Sequence, residues 1–131
     1  MKNLNILCFF GVLLSPVANA GERNYSQQFA RCSKAASNSA DCVTAEIAVQ
    51  TKRLNIVFAN VDKKLAPEDK TYLDKVQHEW ITWRDGNYKF LAEHVSGSFG
   101  TTRGTSLDFM LRSVFDRASE LEMISDEMGG N

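Results

Sequence analysis

Residues 42–65, CVTAEIAVQTKRLNIVFANVDKKL, decide the fold. Ile47, Leu54, Phe58, Val61 and Leu65 are spaced by seven, four, three and four, which places them on one face of a helix. No glycine or proline interrupts the run. Ala66-Pro67-Glu68-Asp69 then makes a compact break. Pro67 suits the first position of a new helix, and Glu68 and Asp69 suit its positive end. That helix is expected from about Glu68 to Val95, with Leu73, Val76, Trp80, Trp83, Asn87 and Phe90 in a three-four repeat. Gly86 inside it costs about 1 kcal/mol relative to alanine and is expected to permit a close helix approach or a bend.

Ser96 to Gly104 reads as a loop by composition. A last helix is expected from about Thr105 to Met123, capped by Thr105 or Ser106. Its stripe is Leu107, Met110, Leu111, Val114, Ala118 and Leu121. The segment from about residue 125 is acidic and then glycine-rich, and is expected to fray. Upstream, a short helix covers Tyr25 to Ala36, and Ser37-Asn38-Ser39 ends it. Ser39 or Asp41 can cap the helix that follows. Short connections favour antiparallel neighbours. The expected fold is all-α: a small antiparallel bundle of three long helices plus a short N-terminal one. Residues 21–131 form one domain with one core.

The first twenty residues have a different character. Lys2, an apolar run from Ile6 to Leu14 broken only by Gly11, and Ala18-Asn19-Ala20 have the anatomy of a secretory signal peptide cleaved after Ala20. The run is too short to span a bilayer. The mature protein is therefore expected in the periplasm or secreted, with no membrane insertion after cleavage. Cytoplasmic ATP chemistry is excluded by compartment. Cys8 leaves with the signal, and Asn5-Ile6-Leu7-Cys8 is no lipobox. Cys32 and Cys42 remain, and an even count in a small exported domain reads as one disulfide. It would close a loop of about ten residues, worth roughly 2–3 kcal/mol. The alternative is a pair of free thiols or metal ligands, and no nearby Cys or His at zinc spacing favours the metal. Losing Lys2 takes 15 basic residues to 14 against 16 acidic ones, a net charge of −2. That is too mild to attract nucleic acid.

Catalytic constellations are missing. His78 and His94 do not sit three residues after a Glu, so the paired Glu-x-x-His of a di-iron site is absent. Neither a Gly-x-Ser-x-Gly elbow nor a phosphate loop occurs. No cofactor, metal or catalytic residue is expected, and the chain is read as a non-enzyme. The sharpest cluster is Trp80, Trp83, Arg84 and Asp85. Trp80 and Arg84 are four apart, so the guanidinium can lie over the indole. In one reading both tryptophans are core and Arg84 and Asp85 tie neighbouring helices. In the other they form an aromatic contact surface for a partner or a glycan.

Leu54-Asn55 with Phe58 three residues on, followed by Gln77, Trp80, Arg84 and Asp85 as Q-x-x-W-x-x-x-R-D, resembles the lysozyme-inhibitor LprI N-terminal-domain family. Cys32-Ser33-Lys34-Ala35 is similar to the Cys-x-Lys-Ala segment that starts that domain. The resemblance covers roughly Phe29 to Leu121. Members often carry a cysteine shortly after Arg-Asp, with a later partner. Here Gly86-Asn87-Tyr88 follows, and no cysteine lies downstream. The second disulfide is thus missing, and the Cys32–Cys42 interval is short for the family.

The resemblance implies an exported helical binding protein that inhibits a lysozyme-type muramidase by filling its glycan cleft. Phe99 and Arg103, in the loop, are the candidate plug. Lysozymes are usually basic, so an acidic contact face of Asp116, Glu120, Glu122, Asp126 and Glu127 would speed encounter. An immunity protein against a toxin delivered to the periplasm is an alternative, as is an envelope structural or interaction module. All three readings require a protein partner.

Overall fold

Four α-helices follow one another: α1 (Gln27–Ala35), α2 (Ser39–Lys64), α3 (Pro67–Glu93) and α4 (Phe99–Gly129). They come from a computed structural model that describes residues 23–35, 39–95 and 99–129, the side chains of 99–102 excepted. The expected signal peptide lies outside the described residues. There is no strand among them. The all-α expectation is met, and so is the bond between Cys32 and Cys42, whose Cα atoms are 5.7 Å apart.

The core is a seam between α2 and α4. From α2 come Cys42, Glu46, Gln50, Leu54, Val57 and Val61, all buried and spaced by four, four, four, three and four. From α4 come Ser106, Leu111, Val114, Ala118 and Leu121. Arg53 meets Ser119 and Glu122, and farther along Lys64 meets Ser125, so these two helices run parallel. Gln77 meets Arg117 and Trp83 meets Phe109, so α3 runs antiparallel to α4. The chain goes up, down and up. Its dominant contact is the parallel pair, and α2 and α3 approach less closely, joined by the Lys70–Asp62 ion pair at 3.4 Å.

No residue of α1 or α3 is buried. Leu73 and Trp80 of α3 lean on the α2–α4 core from one side. Pro67 occupies the start of α3 as expected, with Glu68 and Asp69 in its first turn. α1 is held chiefly from outside itself. The disulfide ties it to α2, and Ser26 caps it by accepting a bond from the Phe29 amide at 3.1 Å.

Both ends of α4 differ from the sequence reading. Phe99–Gly104, expected as loop, is the first turns of α4. Serine, threonine and single glycines lower helix propensity only modestly, and a long packed helix propagates through them. Ser106 therefore lies inside the helix, donating to the Arg103 carbonyl at 3.1 Å, rather than capping it. At the other end α4 continues past Ser125 to Gly129. Lys64 Nζ bonds the Ser125 carbonyl at 2.7 Å and its hydroxyl at 3.1 Å, which ties this end to α2.

Gly86 permits no close approach: a Cβ built there meets nothing within 4 Å. Gly86→Ala is expected to stabilise the protein by up to about 1 kcal/mol. Leu121→Ala, at a side chain with no exposure, is expected to cost about 2–5 kcal/mol. Urea unfolding of the two variants beside wild type checks both signs.

Candidate functional site

The family-motif residues divide between core and surface. Leu54 is buried, and Phe58 and Trp80 pack against the core. Asn55 is exposed on α2. Gln77 accepts a hydrogen bond from Arg117 Nε at 3.0 Å, and Arg117 Nη1 also pairs with Glu120 at 3.1 Å. The motif glutamine thus links α3 to α4. Arg84 lies over the Trp80 ring, 4.9 Å from its centroid, as the spacing predicts. It does not tie neighbouring helices through Asp85. The two residues pair with each other at 2.7 Å along α3.

Trp83 departs from its expected core position. It is 54 % exposed and meets the Phe109 ring at 5.7 Å, tilted by 55°. The three-four repeat carries a wider stripe than α4 covers, so Leu73 and Trp80 face inward while Trp83 and Phe90 stand out. Trp80, Trp83 and Phe109 line a groove of about 450 Å³ between α3 and α4, together with Arg23, Arg112 and Arg117. Arg23 makes a bidentate pair with Asp116, at 2.8 and 2.7 Å. That hydrogen-bonded pairing pushes the Arg23 pKa up against the opposing effect of burial. Beside it, burial pushes the Tyr25 phenol up.

A second constellation escaped the sequence reading. Glu46 is 2 % exposed and accepts from the Ser26 amide at 2.9 Å, the Ser26 hydroxyl, and Gln50 Nε2 at 2.8 Å. Gln50 Oε1 in turn accepts from Arg53 Nη1 at 3.0 Å. Arg53 reaches Glu122 through both Nε and Nη2, bonds the Ser119 hydroxyl at 3.0 Å, and covers the Phe115 ring. This chain of polar groups runs from the start of α1 through α2 to α4. The signal for it was present: Cys42, Glu46, Gln50 and Leu54 are each four apart, so two polar residues occupy the buried stripe.

The candidate contact residues do not form one site. Asp116, Glu120 and Glu122 are each paired with an arginine of the same molecule, which weakens them as an outward acidic face. Asp126 and Glu127 are exposed near the end of α4, and Arg103 is exposed near its start. Arg103 and Asp126 are 23 positions apart on one helix, about 35 Å along the axis. The side chain of Phe99 lies outside the described residues. Among the described residues no cluster of His, Cys, Asp or Glu is arranged to hold a metal. No described helix is long and apolar enough to cross a membrane.

The sequence profile of a family described as Lysozyme inhibitor LprI matches residues 32–121. No curated protein and no solved structure matches the chain. The matched span begins at a disulfide cysteine and ends at the last fully buried leucine, so it takes in the scaffold of the bundle.

The Arg53–Glu122 pair has a pH signature. The hydrogen bond from Arg53 holds the Glu122 carboxyl below the ordinary glutamate range, with burial opposing. A depressed folded-state value contributes stability above the unfolded pKa and loses it as pH falls through the folded one. The carboxylate is 43 % exposed, so solvent screening keeps the effect small. Wild type should be more stable than Glu122→Gln at about pH 7, with the gap closing at about pH 3. Urea midpoints across that range are the check.

Proposed function

The chain belongs to the lysozyme-inhibitor LprI family, and from that premise we propose that it is an exported, non-enzymatic inhibitor of a lysozyme-type muramidase. The family match across α2, α3 and most of α4 carries the reading. The signal-like first twenty residues support action in the periplasm or outside the cell. The Cys32–Cys42 bond suits an oxidising compartment.

The inhibitor works by occlusion. A muramidase cleft holds a pair of carboxylates flanking the scissile bond. The start of α4 brings Arg103 to an exposed position on a helix, where a guanidinium can meet a carboxylate bidentately. Helical rather than loop backbone at 99–104 makes this end a stiff wedge and lowers the ordering cost of binding. The acidic residues Asp126 and Glu127 lie at the far end of α4 and serve encounter rather than insertion.

Purified, oxidised protein of residues 21–131 should slow lysis of peptidoglycan by lysozyme in a dose-dependent way, at about micromolar concentration or below. Arg103→Glu should weaken inhibition at least tenfold, about 1.4 kcal/mol or more. Asp126→Asn with Glu127→Gln should change mainly its salt dependence. Turbidity assays with several lysozyme types decide the matter. Undiminished lysis by all of them would remove the inhibitor reading.

A further inference from the structure

The groove between α3 and α4 has a chemistry of its own. Trp83 and Phe109 offer aromatic faces, and Trp83 stays 54 % exposed despite contacting that neighbour. Planar polar groups frame them. Arg23 is paired with Asp116, Arg112 with Asp108 at 3.0 Å, and Arg117 with Glu120 and Gln77. Each of the three guanidiniums therefore already has a carboxylate partner, Asp116 and Glu120 lining the groove and Asp108 lying just outside it, so each positive charge is balanced by a pair.

That balance selects the ligand. A phosphate or another anion would have to compete with three carboxylates already in place. A purely aliphatic ligand would strand the polar rim. A neutral polyhydroxylated ring avoids both costs. Its C–H face packs on the negative face of an aromatic ring. Its adjacent hydroxyls both donate and accept, so they can bridge a guanidinium, which only donates, and a carboxylate, which only accepts. The ion pairs hold those groups in position before the ligand arrives. A volume of about 450 Å³ lies within the range of small-ligand sites.

We propose that the α3–α4 groove around Trp83, Phe109 and Arg112 is a binding site for a neutral pyranose oligosaccharide. The site is separate from the Arg103 end of α4 and needs no lysozyme. Sugar rings stack on Trp83, and hydroxyls reach the Arg112–Asp108 and Arg23–Asp116 pairs.

The test is ligand-observed saturation-transfer NMR on the oxidised 21–131 protein, with triacetylchitotriose and cellotriose as neutral probes and a galacturonic acid trimer as the anionic one. At least one neutral probe should bind saturably, with Kd on the order of millimolar or tighter. Trp83→Ala should weaken binding at least tenfold, Trp83→Phe should retain it within about threefold, and Arg112→Ala should weaken it. Circular dichroism confirms that each variant is folded. Absence of saturable binding to both neutral probes overturns the proposal. So does an unchanged Kd in Trp83→Ala, or binding of the anionic probe alone. Because no lysozyme is present, failure here leaves the inhibitor reading intact, and failure of lysis inhibition leaves the groove intact.

Discussion

The burial of α2 against α4 is the constraint on which the rest of the molecule depends. α1 and α3 contribute no buried residue, so neither can hold its place without that seam. Val57, Val61, Val114, Ala118 and Leu121 close it at one end by apolar packing. Glu46, Gln50 and Arg53 continue it as a hydrogen-bonded chain toward the other. A buried carboxylate is costly unless its lone pairs are occupied, and Glu46 satisfies that condition by capping the approach to α1. Glu46 thus fixes the position of the N-terminal segment, while Arg53 carries the polar contacts from α2 to α4. The disulfide adds a covalent tie between α1 and α2.

The proposed contacts all lie on what the seam leaves uncovered. α3 leans on α4 along one side and shows Tyr72, Trp83 and Phe90 to the outside. α4 is long enough to carry three distinct stations: Arg103 near its start, the aromatic groove at its middle, and Asp126 and Glu127 near its end. A rigid helix keeps these stations apart, so each can meet a different partner or a different part of one. The cell-wall glycan and the enzyme that cleaves it share a compartment, so the proposed saccharide and muramidase contacts belong to one setting.

Much of the fold was legible because apolar spacing and Pro67 report helix and break directly. The Trp80–Arg84 contact was legible for the same reason, since residues four apart must meet on a helix. The buried polar stripe was not, because a reading keyed to apolar residues passes over Glu46 and Gln50. Nor was the parallel α2–α4 pairing, which depends on which face each helix turns inward. Composition misread 99–104, where glycine and threonine suggest a loop but a long helix overrides local preference. The acidic face was overcounted, because the sequence lists Asp116, Glu120 and Glu122 without the arginines that pair with them. Those partners lie 3 to 93 positions away.

Native-state hydrogen exchange on the oxidised 21–131 protein tests the central claim most directly. If the α2–α4 seam carries the fold, amides around Val57, Val61, Val114 and Leu121 will exchange only through global unfolding. Amides along α3 will then exchange through a smaller, separate opening. Protection in α3 equal to that in α2 and α4, with one shared dependence on denaturant, would contradict it. The three long helices would then be equal partners rather than a seam and the helix it supports.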